Sequence, residues 1–342
     1  MSNLTFLTKE QWVEGGEDIF KKRGTKAAIT DFAIALGGFV SRNHVYSDTS
    51  LKGRTGEYWT KSDDGENDVF VINWDYDMCS NYVDDTGVGA RPALPFSSIN
   101  TISTNGVSGK FETDEYGVKF VYDGYYPQTA PEKDIQSELN RLSGLAEWNR
   151  NNRIPEVCEV PDSIDYDSKT IKYKKIDGYR HNGKIYVRME PKKNEQLSNG
   201  ESYSTSDSVW FEVEPIKRLI SEQCKITILE KIIFAGVPFN FTHDYKTENF
   251  AKTDIYKFTN DIWARDVERL KSIVRFGITR KSRLQKLNPD KTKQDSRVRM
   301  TDTEIIQNWI EAGESVLLRG PSGIGKTERI KSLYPDLIYM KL

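Results

Sequence analysis

Cysteine and histidine are both scarce in this chain: three of each stand among 342 residues. Cys79, Cys158 and Cys224 are spaced too widely for a disulfide framework or a cysteine metal site, so they read as ordinary reduced thiols. His44, His181 and His243 stand alone, with no second histidine at ligand spacing and no serine or cysteine elbow nearby. Hydrolytic triads and zinc sites are therefore without support. Long apolar runs are missing too. Nowhere do about 18 apolar residues follow one another, and the opening MSNLTFLTKEQW has neither the basic start nor the apolar stretch of a secretory signal. A cytoplasmic location is the expectation. Acids, by contrast, number 51, and that abundance makes any single carboxylate pair uninformative as general acid and base.

What is present is the composition of a folded globular protein, with 37% hydrophobic, 11% aromatic and 29% charged residues. The length suffices for two domains, or for one large domain and a fragment of another. The net charge of −2 hides an asymmetry: residues 271–342 hold 15 Lys/Arg against 8 Asp/Glu, whereas the first 270 hold 34 against 43. Most of the excess is Arg280, Lys281, Arg283, Lys286, Lys291, Lys293, Arg297 and Arg299, opposed only by Asp290 and Asp295. Clustered cations suit a nucleic-acid arm, but no aromatic residues interleave for base stacking, and a solvated basic linker over 276–300 is the reading preferred.

Periodicity predicts a mixed α+β fold. Helices are expected over 8–22 (Trp12, Ile19, Phe20), over 26–36 (Ala27, Ile29, Phe32, Leu36) closed by Gly37 and Gly38, and over 132–148. In the third, Ile135, Leu139, Leu142, Leu145 and Trp148 make one apolar stripe, read as core. Short runs such as EYWTKS and DVFVINW, broken by Gly, Asp and Asn, predict antiparallel strands. A polar stretch at 150–168 separates these from further strands in KTIKYKKI, KIYVRME, SVWFEVEPI and KITILEKIIF. A longer helix over 254–275 carries Ile255, Phe258, Ile262, Leu270 and Ile273, and the domain boundary is placed after it.

Beyond the linker, Thr301 and Glu304 form a candidate capping box ahead of a short helix with Ile305, Ile306, Trp309 and Ile310. The strand candidate 315–319 then runs directly into Gly320, Pro321, Ser322, Gly323, Ile324, Gly325, Lys326 and Thr327, and a helical start follows with Ile330 and Leu333. Strand, glycine loop and helix in that order let backbone N–H groups curl around a β-phosphate at the positive end of a helix. Lys326 would reach the β and γ phosphates and Thr327 would coordinate Mg²⁺. That helix should end before Pro335, and only residues 336–342 follow. An ATPase also needs an acidic strand for Mg²⁺, a residue that positions water and often an arginine finger. ATP and Mg²⁺ are expected to bind weakly or not at all to this chain alone, without hydrolysis, so no catalytic residue is assigned.

The segment VLLRGPSGIGKTERIKSLYPDLIYMKL resembles the opening of a MoxR-like, dynein-related AAA ATPase. That resemblance implies ATP binding by Gly320, Gly325, Lys326 and Thr327, in a longer parent able to form a hexameric ring that remodels proteins. Residues 301–342 would be its truncated N-terminal α/β fragment. The N-terminal region resembles C-type-lectin-like domains of unknown function from Firmicutes and their phages. It does so through 58–62 (YWTKS), 89–94 (GARPAL), 126–128 (YPQ), 213–216 (VEPI) and 231–236 (KIIFAG). Here the Tyr-Pro-Gln and Glu-Pro-Ile blocks follow the Trp and Arg-Pro-Ala blocks, the reverse of the usual family order. Either one domain is permuted or residues 1–120 and 121–275 are two related portions that pack together, with the second preferred.

Between Asn67 and Asp85, the residues Asn73, Trp74, Asp75, Tyr76, Asn81, Tyr82, Asp84 and Asp85 offer aromatic platforms beside hydrogen-bonding groups, the mixture that suits a recognition surface. The competing reading has Trp74 and Tyr76 packing a small core while the acids sit in solvated loops. Ca²⁺ on the Asp and Asn cluster is a further reading, lacking a loop of fixed ligand spacing. The leading expectation is a region that recognises a protein or glycan, attached to an ATP-binding module and without membrane or nucleic-acid partners. The alternatives are an ATPase motor whose N-terminal region only scaffolds it, and a nucleic-acid-associated ATPase.

Overall fold

The computed structural model describes residues 4–16, 28–45, 54–65, 67–73, 77–95, 111–222, 225–242 and 245–274. Met1–Thr279 forms one compact unit and Arg280–Leu342 a second, which lies outside the described residues. The first unit is mixed α+β and mostly sheet. Near its start, Thr8 and Gln11 cap each other around a short α1 (Lys9–Gln11), which passes into a π turn at Trp12–Gly16. The rest of the helix expected to residue 22 falls outside the described residues.

The second expected helix begins later than its apolar spacing suggests. Ala28 and Ile29 are held in bridges to Thr55 and Ile232, so α2 (Asp31–Ala35) starts only where the Thr30 hydroxyl accepts the Ala33 N–H at 3.1 Å. Leu36 caps it, and Gly37, at φ +105°, turns the chain away as expected. Strands β1 (Val40–Val45) and β2 (Arg54–Gly56) form a ribbon, and β3 (Tyr58–Asp63), β4 (Asp68–Ile72) and β5 (Met78–Tyr82) a three-stranded sheet in that order.

The main sheet is antiparallel throughout and draws strands from both parts of the unit: β6 (Ala93–Pro95), β7 (Glu112–Thr113), β8 (Lys119–Thr129), β9 (Arg153–Asp165), β10 (Thr170–His181) and β11 (Lys184–Met189). A small ribbon of β12 (Glu195–Gln196) and β13 (Ser202–Tyr203) follows, and β14 (Val209–Ser221) and β15 (Ile226–Leu229) complete the sheet. The order is β6-β15-β14-β11-β10-β9, with β8 beside β14 and β7 beside β8. Position 120, where two portions were expected to meet, lies inside β8. β14 is the hub. It pairs with β11 through Val209 to Glu212 and with β15 through Arg218 to Ser221, while β8 runs along its other edge.

The expected polar stretch at 150–168 is instead β9, a correction with a physical cause. Val157, Cys158 and Val160 are buried, but Pro155, Pro161 and ladder irregularities opposite β10 break the alternation that would have announced a strand. The third expected helix is two: α3 (Lys133–Ser143) and α4 (Ala146–Asn152), separated at Gly144. Leu139 is fully buried and, with Ile135 and Trp148, covers Tyr179, Tyr186 and Trp210 on one sheet face, whereas Leu145 is 48% exposed and leaves the stripe. Trp210 is held there by its indole N–H on Asn140 Oδ1 at 2.8 Å. The opposite face carries the main core, where Phe32 meets Phe211 and Tyr126 edge to face.

The last helical stretch begins as α5 (Asp254–Lys257), widens into a π turn at Phe258–Trp263 and continues through residues 264–274. The Asn260 side chain in that π turn bonds both backbone groups of Leu4, tying the two ends of the described chain together. Among the described residues, no helix is long and apolar enough to cross a membrane.

The short sequence blocks meet across the sheet. The Gln128 amide donates to Glu214 O and Pro215 O at 3.2 and 2.9 Å, joining the Tyr-Pro-Gln and Glu-Pro-Ile blocks. Arg91, buried beside the Tyr58 ring, donates to the carbonyls of Leu229 and Glu230.

Candidate functional site

The phosphate loop, Gly320, Pro321, Ser322, Gly323, Ile324, Gly325, Lys326 and Thr327, lies outside the described residues, as do Trp74, Asp75 and Tyr76. Asn73, Asn81, Tyr82, Asp84 and Asp85 are described, and they belong to one hairpin and the loop at its base.

Alternation builds that hairpin. Val69 and Val71 of β4 are fully buried, and their cross-strand partners on β5 are Asn81 and Cys79. The same pleat therefore aims Asn81 and Cys79 toward the inner side of the sheet edge. At the other end of the strands, the Asn73 N–H donates to Asp77 O, and Asn73 Oδ1 accepts the Asp77 N–H, both at 3.0 Å. These two bonds hold Asn73 and Asp77 together at the end of the β4–β5 ladder.

At the base, the Asn81 carbonyl oxygen accepts the Tyr82 N–H at 2.8 Å. The Asn81 amide lies close enough to the Glu57 and Asp85 carboxyls to favour their charged forms. Asp85 Oδ1 also accepts the Gly87 N–H at 2.7 Å. Burial first, and then the neighbouring Asp85 charge, push the Glu57 carboxyl up to about 7; burial raises Asp85 as well. The Cys79 thiol is raised by burial and then by the charges of Glu57 and Asp77. Tyr82, beside this group, is 65% exposed.

The loop from Val83 to Ala90 is fastened along its length. Val83 O accepts from Asn240, Thr86 O from Gly236, Gly87 O from Phe39, and Gly89 N–H donates to Glu57 O at 2.8 Å. Two glycines allow this close approach: a Cβ on Gly87 would lie 2.5 Å from the Phe39 ring, and one on Gly89 would lie 2.2 Å from Ile232 Cγ2.

The sequence therefore located Asn81 and Asp85 but missed Glu57, which joins them. No local pattern marks Glu57. Only the pairing of its backbone with Gly89, more than thirty positions away, carries it into the group. Chemically the arrangement offers carboxylates titrating higher than usual, an amide beside them and an exposed tyrosine, which suits hydrogen-bonded recognition. Among the described residues, no group of three or more His, Cys, Asp or Glu side chains is arranged to hold a metal ion. Comparison of the chain with protein-family models, with curated proteins and with solved structures found no match.

Proposed function

We propose that this chain selects a partner, a protein or a glycan, for an ATP-binding module of the AAA kind. What supports the recognition half is a single observation, the β4–β5 hairpin held at both ends, with Asn73 closing its tip and the loop from Val83 to Ala90 bonded to several other segments. A surface fixed before binding loses little conformational freedom when a partner arrives. Tyr82 supplies rigid contact area, and Asn73, Asn81, Asp84 and Asp85 supply polar contacts.

The ATP half rests on the order of strand, glycine loop and helix around residues 320–327. There the backbone N–H groups would cradle phosphates, Lys326 would reach the terminal ones and Thr327 would hold Mg²⁺. The working location is the cytoplasm.

The test is a photo-crosslinking amino acid at the exposed position of Ser80 in the full chain, expressed in its host. Discrete adducts are expected that vanish with Tyr82→Ala. In a longer chain that carries the rest of the ATP-binding module, Lys326→Ala should abolish nucleotide binding and leave the adducts unchanged. Adducts indifferent to Tyr82→Ala would refute the recognition half, and nucleotide binding that survives Lys326→Ala would refute the other.

A further inference from the structure

The hub strand β14 is unevenly covered. Along the edge it shares with β11 and β15, the ladder runs to Glu212, opposite Tyr186, and resumes at Arg218, opposite Leu229. Between them, residues 213–216 have no ladder partner on this edge, Pro215 among them has no N–H to give, and the edge closes again where Lys217 O accepts the Glu230 N–H at 2.9 Å. A groove of about 510 Å³ opens at this notch. Four residues of strand span roughly 13 Å, the length of a short extended peptide segment.

The lining is acidic. Asp114, Glu115, Glu212, Glu214 and Glu230 face two lysines, Lys217 and Lys231. Lys217 is committed to Glu230 at 3.1 Å and lies 4.2 Å from the centre of the Phe120 ring. Glu212 is reached by Lys184 at 2.8 Å. Glu214 accepts its hydrogen bond from a neutral group, the Thr129 hydroxyl at 2.9 Å, and burial holds its carboxyl above the usual range despite the attraction of Lys231. Glu115 is exposed in the turn between β7 and β8, next to Tyr116, and Tyr122 stands on the same wall. A part-buried carboxylate whose hydrogen bond comes from a hydroxyl, with lysines acting only through their charge, favours a cation that can bond to it directly, and tyrosine faces beside carboxylates are a setting for guanidinium groups.

We infer that this notch is a second binding site, separate from the β4–β5 hairpin, which takes an extended basic peptide segment of a partner protein with its arginine or lysine side chains among Glu115, Glu212 and Glu214. The occupant is argued from charge complementarity and from the length of the open strand edge. A peptide in this notch would lie along residues 213–216 and present alternate side chains to the acidic wall.

The experiment measures fluorescence anisotropy of a labelled Arg-Thr-Arg-Thr-Arg pentapeptide with the full chain, beside its Gln-Thr-Gln-Thr-Gln counterpart. Saturable binding of the arginine peptide is expected, at least ten-fold tighter than the glutamine one. Glu214→Gln with Glu115→Gln should weaken it at least ten-fold, and Glu115→Gln alone, an exposed change with no packing role, at least three-fold. Asp167→Asn, an equal loss of charge at an exposed position outside the groove lining, should leave affinity unchanged. Equal affinity for the two peptides, a Glu115→Gln protein that binds as tightly as the original, or an equal loss with Asp167→Asn would overturn the proposal. So would spermidine competing at the peptide's own concentration, since that would make charge without peptide shape sufficient.

Discussion

Glu57 shows what one side chain contributes when its neighbours are fixed. Its carboxyl is pushed up from the usual 4.5 to about 7, chiefly by burial and then by Asp85. Between those two values the folded chain keeps a proton that the unfolded chain has released, so stability falls as pH rises through that window. Asp85, raised in the same direction, adds to the slope. Glu57→Gln keeps a hydrogen-bonding group and removes the charge. It should flatten the decline between pH 5 and pH 8 and make the protein about 1–2 kcal/mol more stable at pH 8. Urea unfolding of both proteins at the two pH values measures this, and an undiminished slope in the variant would place the titrating group elsewhere.

At the scale of elements, the approach of the last helix to the sheet is set by a missing side chain. Gly124 in β8 has φ +83°, and a Cβ there would lie 2.2 Å from Val267 Cγ1 on the helix over residues 264–274. Gly124→Ala meets two costs, the left-handed backbone and the overlap, together about 2–4 kcal/mol. Val267→Ala opens a small cavity and by itself destabilises. In combination the two changes should cost less than their sum by at least about 1 kcal/mol, because the second removes the atom with which the first collides. A double-mutant cycle from chemical denaturation reads that coupling, and strict additivity would mean that the helix does not rest on Gly124. The pairing of α3 with Trp210 follows the same logic: the helix was legible as a 3.6-residue stripe, but Leu145 left it because Gly144 ends the helix first.

Across the whole unit, one buried charge group connects distant parts of the chain. Asp123 of β8 accepts from Arg218 Nε of β14 at 2.9 Å and lies 3.7 Å from Lys271 Nζ in the last helix, while Arg218 also donates to Pro92 O at 3.2 Å. Arg218 and Lys271 are both buried and share the Asp123 carboxylate, while Lys271 has a second partner in the exposed Glu268 at 3.4 Å. Asp123→Asn leaves Arg218 without this counter-charge and Lys271 with the exposed Glu268 alone, and should destabilise by about 3–5 kcal/mol, seen as a lower urea midpoint with an unchanged slope. A loss below about 1 kcal/mol would show that water reaches the group.

What the sequence determined by itself were the features written in consecutive residues. These are the alternation of β4, β10, β11 and β14, the apolar stripe of α3, the stop at Gly37, and the basic and glycine-rich stretches beyond residue 279. It also singled out Asn81, Tyr82 and Asp85, because aromatic and amide groups crowd there. Only the tertiary structure decided the late start of α2, imposed by bridges from Ala28 and Ile29, and β9, whose buried stretch is masked by two prolines. Glu57 came to lie beside Asn81 and Asp85, and the notch opened beside β14, through pairings between residues far apart in the chain. The reason is physical: local pattern fixes which face of an element seeks the core, whereas which strand lies beside which, and where an edge is left open, is settled by long-range burial and hydrogen bonding that no short window contains.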